Sequence, residues 1–98
     1  FNAAVTDDDC ADPRGPEHVR GMLGRIVELM ECPTPFHAAR RLTVLLESID
    51  APATLSEVGI ATEPERLRLA SRVNAERLSN NPRRLAQADV ERLLASIA

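Results

Sequence analysis

Four side chains of the metal-ligating kind, Cys10, His18, Cys32 and His37, follow one another as Cys-x7-His-x13-Cys-x4-His. Structural zinc sites use two compact ligand pairs, and the spacing of these four is wrong for that, Cys10 and His18 having seven residues between them. A second group, Asp7, Asp8, Asp9 and Asp12, brings carboxylates together in the opening stretch. A calcium loop needs alternating acidic ligands, a central glycine and a closing glutamate at set positions. Here Pro13, Gly15 and Pro16 interrupt the run, so residues 6 to 17 read as an irregular or mobile connection. Neither histidine has the company of a catalytic base. No Ser or Cys nucleophile lies in a strained glycine-rich turn, and no acid is placed to orient an imidazole. There is no Gly-x-Gly-x-x-Gly and no phosphate-binding loop. By these criteria the chain carries no catalytic, cofactor-binding or metal-ligating residue of its own.

Composition bounds what remains. With 98 residues the chain makes at most one domain, and its core must be aliphatic, because it has two Phe and no Trp or Tyr. All twelve basic residues are Arg, which reads as a bias of the coding genome. The net charge is −3 and the arginines alternate with glutamates, the opposite of the basic stripe that a nucleic-acid partner requires. No segment has the run of apolar residues that spans a bilayer, and no basic-then-apolar signal opens the chain. Two cysteines do not make a disulfide framework, which favours the cytoplasm. The opening Phe1, with no initiator Met, suggests a piece of something longer.

Four amphipathic patterns must position any functional residue. The first spans about Glu17 to Glu31, with Val19, Met22, Leu23, Ile26, Val27 and Met30 at helical spacing. Gly21 and Gly24 within it are read as permitting a close helix crossing. The second runs from about Pro35 to Ile49, N-capped by Thr34, with Ala38, Leu42, Leu45, Leu46 and Ile49 as its buried face. Asp50 and the Ala51-Pro52 pair end it. Thr54 and Glu57 have capping-box spacing, and Gly59 closes the short turn that follows. A second box, Thr62 and Glu65, opens the third helix, whose narrow stripe of Leu67, Ala70, Val73, Asn74 and Leu78 runs to the Asn80-Asn81-Pro82 break. The fourth, about Gln87 to Ile97, presents Val90, Leu93, Leu94 and Ile97 on one side. No stretch alternates long enough to be a strand. The chain is predicted to be all-α, a polar lead over residues 1–17 followed by a helical bundle portion over 18–98.

Three short motifs, in order, place these helices in a known context. Asn81-Pro82-Arg83, a short polar stretch, Asp89 and one last amphipathic helix resemble the ending of iron-dependent alcohol dehydrogenases. Pro52 through Ile60 is similar to that family's Pro, Leu, two-residue, Leu/Val-Gly-Ile/Val link between two helices. Phe1-Asn2-Ala3-Ala4 resembles the aromatic-Asn-Ala that follows the last metal-binding histidine by about a dozen residues. Ala86 departs from the pattern, since relatives commonly place Thr or Ser there to cap the last helix.

The resemblance implies the C-terminal portion of the helical domain of such an oxidoreductase. The parent enzyme would bind NAD(P) on an N-terminal α/β domain and hold Fe²⁺ or Zn²⁺ between an aspartate and three histidines, all upstream of Phe1. His18 and His37 match none of them. By this resemblance the chain's partners are the nucleotide-binding domain and metal-bearing helices of that parent, a homodimer in many family members. The isolated chain is expected to be inactive. Arg77, Leu78 and Asn81, leading into Asn-Pro-Arg, are the substrate-cleft candidates, and an Arg at 77 would favour an anionic substrate. Arg83 and Arg84 are read as interacting with nearby carboxylates. The alternative is a free-standing helical module that docks a partner helix on its first or fourth stripe.

Overall fold

The computed structural model describes residues 1–98, and their secondary structure is wholly helical with no strand. Helices α1 (Pro16–Leu29), α2 (Pro35–Ser48), α3 (Glu63–Ser71), α4 (Ala75–Leu78) and α5 (Gln87–Ser96) follow one another, with 3-10 turns at Asn2–Ala4 and Ser56–Val58. None is long and apolar enough to cross a membrane.

The ends of the helices follow local chemistry. Gly15, at φ 91° and ψ 168°, occupies a region open essentially to glycine alone and turns the chain into α1, whose first residue is Pro16. Thr34 Oγ1 accepts from the His37 amide at 3.3 Å, with Pro35 at the first helical position of α2. Both helices stop in the same way. Glu31 and Asp50 adopt the left-handed conformation, and the amides of Cys32 and Ala51 reach back to Val27 O at 3.1 Å and Leu46 O at 2.9 Å. That pairing is a Schellman closure. Left-handed Asp50 thus reverses the chain before Pro52 takes part.

Acidic side chains fasten the other starts. Glu57 accepts from the Thr54 hydroxyl and from the Thr54 and Ala53 amides at 2.8 to 2.9 Å, and Gly59 at φ 85° closes the turn. Glu65 accepts from the Thr62 amide at 2.9 Å. At α5 only half of a capping box exists. Asp89 reaches back to the Ala86 amide at 2.9 Å, while Ala86 has no side-chain oxygen to return the bond.

One expected helix is two. The third stripe continues in period past Val73, but α3 ends at Ser71 and Asn74 Oδ1 accepts from the Arg77 amide at 3.1 Å, opening the single turn of α4. A short polar side chain that bonds its own backbone competes with helix continuation. Asn74 is therefore a cap and not part of a buried face.

The helices pack in two pairs, α1 on α2 and α3 on α5, with the 3-10 turn at Asn2–Ala4 lying against α2. Val19 and Ala38 are buried in the first pair, Leu55, Ala70 and Val90 in the second. The second pair is closed by the Leu55 amide, which donates to Ile97 O at 2.7 Å. Much of the predicted stripes stays in solvent: Met22, Ile26, Leu42, Leu45, Leu46, Ile49, Leu67, Val73 and Ile97 are exposed, and Leu29, outside the stripes, is 84% exposed. The reason is shape. The molecule is a flattened plate of 38 × 33 × 16 Å, in which each main helix has one principal helical partner. A helix with a single packed neighbour can bury only one edge of its stripe. Gly21 and Gly24 likewise meet open space where a crossing helix was expected.

The surface measures this openness. A compact protein of 10.7 kDa exposes about 5,500 Å², whereas this chain exposes 7169 Å². The excess, about 1,700 Å², is larger than the roughly 800 Å² that each partner contributes to a standard protein interface.

Two outcomes follow from the caps. Ala86 already has the extended backbone of an N-cap, φ −88° and ψ 165°, so Ala86→Ser should complete the reciprocal box and stabilise the protein by about 1 kcal/mol, read as a higher denaturant midpoint. The second concerns acid. The Arg14 side chain and amide hold Asp12 down to about 2. Donation from the Thr54 hydroxyl to Glu57, from the Thr62 amide to Glu65 and from the Ala86 amide to Asp89 lowers those three as well. Depressed carboxylates bind fewer protons folded than unfolded. Their contribution is therefore complete above the unfolded values near pH 4 and disappears as pH falls through the folded ones. The unfolding midpoint should be flat from about pH 7 to 5 and fall between about pH 4 and 2, with Asp12→Asn removing part of the slope.

Candidate functional site

The turn after α4 is the most heavily fastened part of the chain, and what fastens it is the opening lead. Asn80 and Asn81 donate their amides to Arg77 O and Leu78 O at 3.2 and 3.0 Å, closing the end of α4. Pro82 cannot continue the helix, and its carbonyl accepts from the Ala11 amide at 2.8 Å. The Arg84 amide returns a bond to Asp9 O at 2.7 Å, so Cys10 and Arg83 face each other in an isolated antiparallel bridge. Residues 1–12 are irregular in form, yet anchored.

Side chains tighten the same junction. Asn2 and Asn81 exchange amide hydrogen bonds, Nδ2 to Oδ1 in each direction, at 3.0 and 2.8 Å, and Asn81 Nδ2 also donates to Arg83 O. Arg83 Nε donates to Asp9 Oδ2 at 2.6 Å, and its Nη1 donates to Phe1 O at 3.0 Å. The guanidinium carbon lies 4.4 Å from the centre of the Phe1 ring, within cation–π range. The Arg83 and Asp9 side chains are 24% and 27% exposed, the least exposed ion pair in the chain. The Thr6 amide and then the Arg83 guanidinium hold the Asp9 carboxyl below its usual range.

The three cleft candidates lie close together in sequence, Arg77 and Leu78 in α4 and Asn81 in the turn after it, but in different environments. Arg77 is exposed, and its guanidinium forms no ion pair within the chain. Leu78 is half-buried at the edge of an open depression of about 480 Å³, shared with Ala11, Val73, Arg84 and Leu85. Asn81 is half-buried, with its side-chain oxygen and nitrogen both engaged by Asn2. A second open depression, about 290 Å³, borders the other end of the turn at Asn80 and Pro82, with Met22, Ile26 and His18 from α1. Of the neighbouring arginines, Arg83 finds its carboxylate 74 positions away, whereas Arg84 is fastened only by its backbone.

The His and Cys residues do not gather. No three His, Cys, Asp or Glu side chains converge on a point where one ion could be held. His37 Nδ1 lies 2.7 Å from Thr34 Oγ1 at the start of α2, and His18 lies in the second depression. Cys10 and Cys32 are separate free thiols. This chain's own residues thus do not fit the ligand set of a bound iron or zinc ion.

Phe1 and Asn2 entered the sequence reading only as part of a motif, and Asp9 only among clustered carboxylates; their place in this junction was not read. Their pairing with residues 81–83 crosses 74 to 82 positions and has no local periodicity to reveal it.

Comparison with known proteins places this geometry in context. No family model matches the chain, and no solved structure does. It is similar to phosphonoacetaldehyde reductase of Streptomyces viridochromogenes, with 35% identity over 97 residues. That similarity covers 96% of this chain and 22% of the reductase, so the chain spans about a fifth of the length of the curated relative it matches. Nearly the whole chain, including the clasped turn, is therefore similar to one part of a larger reductase.

Proposed function

We propose that this chain is the closing helical portion of an iron-dependent alcohol dehydrogenase-like reductase, cytoplasmic, acting on a small aldehyde that carries an anionic group. The observation that carries the reading is the similarity to an aldehyde reductase over 96% of the chain. The open plate supports it. Stripes on α1 and α2 that expose Met22, Ile26, Leu42, Leu45 and Leu46 are suited to lie against further helices of a larger protein.

In this reading Fe²⁺ or Zn²⁺ and NAD(P) are held by residues outside this chain, and no step of hydride transfer is assigned to a residue within it. The metal would act as a Lewis acid on the carbonyl oxygen. What the chain supplies is a wall: α4 and the turn after it, with Arg77, Leu78 and Asn81 facing the cleft. Arg77 has no carboxylate partner of its own. A guanidinium fork suits a phosphonate, which it can engage through two parallel hydrogen bonds. Asn81 holds the wall's shape through Asn2, and Leu78 lines its apolar part.

The protein that carries this chain should oxidise NADH or NADPH in the presence of phosphonoacetaldehyde and lose that activity when a chelator removes its metal. If it does neither, and instead binds a helical peptide on its apolar face, the interaction-module reading replaces this one. Arg77→Ala should raise KM for phosphonoacetaldehyde by roughly ten- to a hundredfold, the worth of about 1.5–3 kcal/mol for hydrogen bonds to a charged group. A neutral aldehyde of similar size should be unaffected, and equal losses for both substrates would remove Arg77 from the role.

A further inference from the structure

α4 is a single turn of four residues, Ala75–Leu78, bounded by the Asn74 cap on one side and the Asn80–Pro82 turn on the other. A helix of that length has no stability of its own. Its orientation must be imposed by whatever holds its ends. The Asn74 end is a local bond within the same segment, so it sets conformation but not placement. Placement comes from the other end, where a continuous series of bonds leads away from α4. Leu78 O accepts from the Asn81 amide, and the Asn81 side chain is paired with Asn2. Arg83, two residues on, is held by Asp9 Oδ2, Phe1 O and the Phe1 ring. The segment bearing Asn2 packs on α2. The lead therefore connects the α1–α2 pair to the end of α4.

We propose that Arg83 and its acceptor Asp9 are positioning residues for the cleft wall: by clamping the turn to the lead they fix where α4 presents Arg77 and Leu78. The inference rests on the functional reading above for what Arg77 does, and on the structure alone for what Arg83 holds. Arg83 does not itself meet the substrate. Its guanidinium is spent on Asp9 and Phe1, in contrast to Arg77. The other long-range ion pair of the lead, Arg20 with Asp7, makes a useful contrast because its side chains are 48% and 74% exposed and neither residue bonds the turn.

The test uses the full protein and two readouts. In steady-state kinetics with phosphonoacetaldehyde, Arg83→Gln and Asp9→Asn should each raise KM by about tenfold with kcat little changed. The double variant should be no worse than Arg83→Gln alone, since that substitution already removes the pair that Asp9→Asn breaks. Arg83→Lys, which keeps the charge but cannot reach Asp9 and Phe1 O in the same fork, should fall between, and Arg20→Gln should match the unmodified protein. In hydrogen exchange, Arg83→Gln should speed exchange of the Asn80, Asn81 and Arg84 amides while leaving α5 protected. Faster exchange in that turn with an unchanged KM overturns the positioning role. So does a parallel loss of kcat and KM performance for charged and neutral aldehydes accompanied by exchange throughout α5, which marks general unfolding. If the unmodified protein reduces no aldehyde, the functional reading fails separately, and the exchange experiment alone decides the clamp: unchanged exchange at Asn80 and Asn81 overturns it.

Discussion

The two helix pairs bury separate and very small cores, so their mutual placement depends on the clasp between the lead and the turn after α4. Its parts are of different kinds. A two-sided amide exchange joins Asn2 to Asn81, a half-buried ion pair joins Asp9 to Arg83, and a short antiparallel bridge joins the two backbones. Hydrogen bonds and ion pairs contribute modestly one by one, because water competes for each group. Several together, directed at one turn, specify an arrangement that apolar packing here leaves undetermined. Direction rather than magnitude is what the clasp supplies.

The plate-like form has the complementary meaning. Five residues are buried, all apolar and four of them no larger than valine: Val19, Ala38, Ala70 and Val90, with Leu55 beside them. Hydrophobic burial is the main term that offsets chain entropy, and here much of the apolar surface that could contribute is still in water. Aliphatic residues on α1 and α2 form the side of a core without its opposite side. That exposed surface is what the proposed placement against the rest of a longer protein would cover.

Local signals were the legible ones. Thr34 with Pro35, Thr54 with Glu57, Thr62 with Glu65 and the missing cap at Ala86 are visible in the sequence, because each depends on residues three or four apart. Burial was not legible. Helical periodicity says which side of α2 is apolar, but it cannot say whether anything lies opposite Leu45 and Ile49. Asn74 shows the limit of periodicity from another side: its place in the stripe was right by count and wrong by chemistry, since its carbonyl oxygen serves as a cap. Left-handed Glu31 and Asp50 were equally hidden, as neither is the glycine that usually announces such a stop. Of the candidate site, Arg77 to Asn81 was found through a motif, while the partners of Asn81 and Arg83 in the lead depend on contacts across 74 to 82 positions and leave no trace in spacing.

That separation also orders events in time. Each helix and its caps can form as soon as a dozen or so neighbouring residues are available, within microseconds on the scale of helix formation. The lead has no such local partner. It is made before α1 yet cannot dock until the Asn81–Arg84 turn has emerged from the ribosome, so it waits through nearly the entire synthesis of the segment. Contacts of long sequence separation are slow to form for the same reason. Closure of the clasp is therefore a late step of assembly, and it leaves the apolar sides of α1 and α2 as open to wrong neighbours as they were before.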